Sequence, residues 1–184
     1  EQEGSPSGPL LRGVNQIASS IHAEFPNVMV ETLAYEWSQP PPRITRPGDN
    51  VLVQLSTIFA NFGQALSDPS NSASIDNDLM GWAAISNRSS LAIWDYSTNF
   101  ASFLTPFPSW SVIGQNVKHY HQHGVSTVFS EGSYNSPGGD MARLQAYVLG
   151  RMLFDASLNS QRLIDEFVHG YFGQRAAPFI RLYM

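Results

Sequence analysis

The sequence has 184 residues, of which 42% are hydrophobic and only 14% charged; its formal net charge is −5 and it contains no cysteine. Such a length builds one domain with a sizeable core. Charged content below the usual quarter suits a chain rich in buried strand, or one that belongs to a larger body. The acidic balance, with no Lys/Arg cluster, argues against a nucleic-acid partner, and no apolar run has the length of a membrane span. The lack of cysteine excludes disulfide scaffolds, zinc–thiolate sites and cysteine nucleophiles. Compartment is left open; the glycosylation triplet Asn87-Arg88-Ser89 is too common a pattern to decide it.

Glu1 to Pro9 is a Gly/Ser/Pro loop leading into a helix over about Leu10 to Phe25, where Leu10, Leu11, Val14, Ile17, Ala18 and Ile21 recur at helical spacing. A β-branched run, about 28–35, predicts the first strand, followed by the stiff loop Glu36-Trp37-Ser38-Gln39-Pro40-Pro41-Pro42. A second strand falls at about 50–56. The stretch from Ser56 to Ser74 reads as irregular, anchored by Phe59, Phe62 and Leu66, and a helix follows from Ile75 to Ile85.

The third strand, at about 90–95, is the apolar run Leu91-Ala92-Ile93-Trp94, which ends on Asp95 and Tyr96. Pro106 to Ser109 introduces a helix reaching about His123, capped by Gly124. The fourth strand lies at about 125–130, and helices over about 140–154 and 160–171 close the chain, with Gly173 as the break before a last short one. Strands alternating with helices mean a parallel sheet with helical cover, either half of a (β/α)8 barrel or a small doubly wound sheet. No strand is followed by Gly-x-Gly-x-x-Gly or a Walker loop, so nucleotide chemistry has no footing.

Four carboxylates fall at predicted strand exits or similar loops: Glu3, Glu36, Asp95 and Glu131. Ligand sites in parallel sheets sit at the carboxyl ends of the strands, and a glycosidase needs two carboxyl groups flanking the bond it cleaves. Tyr35, Trp37, Trp94, Tyr96, Trp110 and Tyr134 crowd the same ends, and aromatic platforms suit the apolar C–H faces of sugar rings. Alternation puts Asp95 on the face of Leu91 and Ile93, and Glu131 on the face of Thr127 and Phe129. If both faces point into a barrel, the two carboxylates lie on neighbouring strands about 5 Å apart at the backbone. His119, His121 and His123 alternate around a helix end, so surface histidines outweigh a metal site. No Gly-x-Ser-x-Gly elbow offers a serine nucleophile.

The runs Glu3-Gly4-Ser5-Pro6-Ser7-Gly8, Thr32-Leu33-Ala34-Tyr35 with Pro41-Pro42, Ile93-Trp94-Asp95-Tyr96, Gly124-Val125 leading to Glu131-Gly132, and Glu166-Phe167 with Tyr171-Phe172-Gly173 resemble domain-of-unknown-function family 4838 over nearly the whole chain. That family is regarded as a glycoside-hydrolase-like barrel similar to the family 67 α-glucuronidases. The resemblance implies Glu3 as catalytic acid, from a Glu-Gly-x-Pro-Gly loop, and Asp95 beside Tyr96 as a second catalytic carboxylate. It also implies a carboxylate near position 61, where this chain has Asn61, whose amide cannot act as a base.

The expectation is therefore the carboxyl-terminal half of a (β/α)8 barrel, strands five to eight with their helices, as a single partial domain continuing upstream of Glu1, because a half barrel leaves strand edges unpaired. The expected function is hydrolysis of a glycosidic bond in an oligo- or polysaccharide, with Glu3 as acid, Asp95 as base or nucleophile, and Glu131 orienting substrate or tuning Asp95. Sugar contacts fall to Tyr35, Trp37, Trp94, Tyr96, Asn99 and Tyr134, with no cofactor and no metal. The rival expectation is a carbohydrate-binding barrel module without chemistry. The upstream half of the barrel is the expected partner within the same parent chain.

Overall fold

The computed structural model describes residues 2–71, 73–87, 90–136 and 138–184. Arg88 and Ser89 of the glycosylation triplet lie outside the described residues. The chain is mixed α/β: helix α1 (Ser7–Glu24), strand β1 (Val30–Ala34), strand β2 (Val51–Ser56), helix α2 (Ala73–Ile85), strand β3 (Leu91–Tyr96), helix α3 (Ile113–Gln122), strand β4 (Thr127–Glu131), and helices α4 (Ala142–Phe154), α5 (Ser160–Phe172) and α6 (Ala177–Tyr183). The strands form one sheet in the order β1-β2-β3-β4, and the β1–β2 and β2–β3 pairs are parallel. Elements fall where periodicity places them, within about three residues at each end. One difference is the Pro108–Ser111 segment, a 3-10 turn that precedes α3 instead of forming its first turn.

The chain divides into two compact units: residues 1–59, 72–95 and 120–130, and residues 60–71, 96–119 and 131–184. In the first, register fixes which side chains share a face, since directly paired residues of a parallel sheet point the same way. Thr32, Val53 and Leu91 are one such row, and Ala34, Leu55 and Ile93 the next. Val51, Val53, Leu55, Leu91 and Ile93 are all 0–1% exposed. Leu10 and Leu11 of α1 and Trp82 of α2 gather with Thr32 and Val53 around a small cavity, so this is the helix-covered face. The other face carries Leu33, Gln54 and Ala92 in one row. On β1 it is open, with Glu31, Leu33 and Tyr35 exposed, whereas Gln54, Ser56 and Ala92 are small or polar and buried.

The second unit is built on α4, α5 and α6, whose Leu144, Val148, Met152, Leu163, Ile164, Val168 and Ala177 pack with Ile113 and Val117 of α3. Trp110 packs against the same core and is therefore structural. Phe59, expected as a loop anchor, is exposed instead; Leu66 is buried, and Phe62 packs on Tyr96 and Phe107.

Candidate functional site

Glu3 sits in the loop before α1 with its carboxylate saturated by donors. Arg12 and the Thr45 hydroxyl donate to Oε1, and the backbone N–H groups of Ile44 (3.2 Å) and Thr45 (3.0 Å) donate to Oε2. The Thr45 hydroxyl and N–H, the Ile44 N–H and the Arg12 guanidinium together hold the carboxyl below the ordinary glutamate range, against a smaller opposing effect of burial. The rest of the motif serves the same joint. Gly4 adopts φ +70°, the Ser5 and Ser7 hydroxyls both donate to the Pro40 carbonyl, and a Cβ at Gly8 would stand 2.5 Å from the Glu3 side chain. Glu3, Gly4, Ser5, Arg12, Ile44 and Thr45 border an open cavity of about 790 Å³, and none of the predicted site aromatics lines it.

Asp95 lies one step beyond Ile93 on β3, on the helix-covered face. The Thr57 hydroxyl donates to its Oδ1 at 2.7 Å, and Tyr120 of α3, 2% exposed, hydrogen-bonds to it. Burial, then the charge and hydrogen bond of Asp95, push the Tyr120 phenol well above its ordinary range. Sequence alternation did group Asp95 with Leu91 and Ile93, but that face is the helix-covered one, where the Tyr120 hydroxyl meets the carboxylate.

The residues between them occupy the opposite side. Trp94 pairs with Ser56 across the sheet, and one further step of the β1–β2 register sets Tyr35 beside Ser56. Tyr35, Ser56 and Trp94 thus form a row at the carboxyl ends of three strands, on the face away from the helices. The Trp94 ring meets Phe129 edge-on, with centroids 4.7 Å apart. Beyond Tyr35, Trp37 is 61% exposed.

The remaining predicted residues belong to the second unit. Tyr96 packs edge-on against Phe62 and Phe100, and Tyr134, largely exposed, touches Phe100 and Phe103. The Asn99 side chain accepts from the Ala101 N–H, closing a local turn. Glu131 ends β4, and its backbone carbonyl accepts from the Ser97 N–H at 2.9 Å. Asn61 closes another turn, accepting from the Gly63 N–H and donating to Gln64. Among the described residues no group of three His, Asp or Glu side chains could hold a metal ion.

Glu36 is the residue that sequence reasoning counted but did not pursue. It stands two positions beyond the end of β1, is exposed, and has φ +49°, a left-handed conformation uncommon outside glycine. The neighbouring Glu36 carboxylate pushes the Tyr35 phenol above its ordinary value. The legible signal was a carboxylate between two aromatics at a strand exit.

Comparison with curated proteins and with solved structures finds no match. The family model described as "Domain of unknown function (DUF4838)" matches residues 1–184, and the chain belongs to that family.

Proposed function

We propose that the chain is a segment of a (β/α)8-type barrel that binds carbohydrate at the carboxyl ends of its strands. Strands added in simple sequential order, joined by crossovers that cover one face, are the barrel's mode of growth; a doubly wound sheet reverses its order and covers both. The observation that carries the binding reading is the row Tyr35–Ser56–Trp94 with Trp37 exposed beyond it. Flat apolar rings beside hydroxyls and a carboxylate are what a sugar's C–H face and hydroxyl edge require.

A second reading, glycoside hydrolysis, rests on the carboxylates at these strand ends. Asp95, which accepts from the Thr57 and Tyr120 hydroxyls, is the carboxylate that would serve as base or nucleophile. Glu3 is a poor proton donor, because every donor around it favours the ionised form. In a hydrolase the acid therefore falls to another group, such as Glu36. The test is a screen of the protein and its Asp95→Asn variant against neutral and glucuronosyl-decorated glycosides, following turnover and binding together. Binding without turnover by either protein supports the module reading; turnover abolished in a variant that still binds supports the hydrolase. A protein that neither binds nor cleaves any glycoside refutes both.

A further inference from the structure

The loop after β1 is fixed on one side and presented on the other. Ser38 is 4% exposed, and its Oγ accepts from the Tyr35 N–H at 3.2 Å and donates to the Tyr35 carbonyl at 3.0 Å. Gln39 is buried; its backbone carbonyl accepts from Trp82 Nε1 at 2.7 Å, and its Nε2 donates to Asp78 at 2.8 Å. The Pro40 carbonyl takes the Ser5 and Ser7 hydroxyls at the start of α1, and Pro41 fills the space a Cβ would need at Gly81. Against this anchored base, the three residues Tyr35, Glu36 and Trp37 all point to solvent.

An exposed glutamate gains nothing for the fold by standing at φ +49°, where glycine is less strained. Backbone strain of this kind persists where the surroundings impose it, and it gathers at ligand-binding positions. The local chemistry agrees: a carboxylate offers several acceptor sites, and the Trp37 indole next to it in the chain is a large open surface.

We propose that Tyr35, Glu36 and Trp37 form a binding site for a neutral sugar, in which Trp37 covers a ring face and the Glu36 carboxylate accepts two neighbouring hydroxyls. The site rests on the carbohydrate-binding reading above and adds its selectivity. A fixed carboxylate on an acidic chain repels uronic acids, so neutral sugars bind and glucuronosyl groups are disfavoured. Rigid anchoring through Ser38, Gln39 and Pro40 spares the ligand the entropy of ordering the loop.

The test titrates the protein with a panel of neutral oligosaccharides and their glucuronosyl-bearing counterparts, read by calorimetry and tryptophan fluorescence. It is repeated with Glu36→Gln, Glu36→Gly and Trp37→Ala. Wild-type protein is expected to favour neutral ligands at least tenfold. Glu36→Gln should weaken neutral-sugar binding about tenfold and narrow the discrimination against uronates. Glu36→Gly relieves the left-handed conformation, so its Tm should equal or exceed that of wild type while binding is lost. That combination separates a binding role from a structural one. Neutral-sugar binding unchanged in Glu36→Gln and Glu36→Gly overturns the site and leaves the carbohydrate-binding reading standing. No binding of any glycan by wild-type protein overturns that reading and the site with it.

Discussion

Glu3 and Asp95 show how far a carboxylate's neighbours decide its use. Glu3 stays ionised because Thr45, Ile44 and Arg12 all donate to it, so its proton affinity in the folded state is depressed. A depressed carboxylate contributes stability that is present above the ordinary glutamate pKa and lost as pH falls through the lowered one. Thermal melts should therefore show Tm dropping more steeply on acidification in wild type than in Glu3→Gln, with the variant less stable at neutral pH; parallel curves would remove the ion-pair account. Asp78 has the opposite sign. Burial on α2 raises its pKa, outweighing the Gln39 hydrogen bond, so folding is favoured at low pH and the gain fades as pH rises past the ordinary aspartate value. Among the described residues Gln39 Oε1 is buried without a partner. Asp78→Asn removes the buried charge and supplies an amide donor for that oxygen, and is expected to raise Tm at neutral pH. For Tyr120, whose hydroxyl meets Asp95, the Phe variant should cost about 0.5–1.5 kcal/mol in denaturant unfolding.

At the scale of elements, the stretch before α1 is a joint between that helix and the loop over residues 40–45. Gly8 leaves room for the Glu3 side chain, so Gly8→Ala should destabilise the fold by roughly 1–3 kcal/mol through overcrowding. Little change would mean the Glu3 side chain simply swings aside. The sequence showed the joint as a motif but could not show its purpose: Glu-Gly-Ser-Pro-Ser-Gly reads alike whether its carboxylate meets a substrate or meets Arg12 and Thr45. Elements governed by local chemistry were legible, such as the stop at Gly173, which takes φ +81°. Asp95 was harder. Alternation told correctly which residues share its face, but only packing tells which face the helices take, and Tyr120 lies 25 positions further along the chain.

Two leucines test the division of the sheet at the scale of the whole molecule. Leu55 lies on the helix-covered face at 0% exposure, whereas Leu33, one strand away on the other face, is 42% exposed. They share one side-chain chemistry and one sheet, so the difference in cost of truncation isolates the difference in cover. Leu55→Ala removes packed atoms from a filled core and should cost about 2–5 kcal/mol. Leu33→Ala removes atoms already half in water and should stay within about 1 kcal/mol. Urea unfolding of the two variants beside wild type measures both values under one set of conditions. A large gap means that the β1 end of the second face is open, as a barrel segment presents its inner surface. Equal costs would mean that the face is covered as fully as the helical side, and the barrel reading would lose its strongest support.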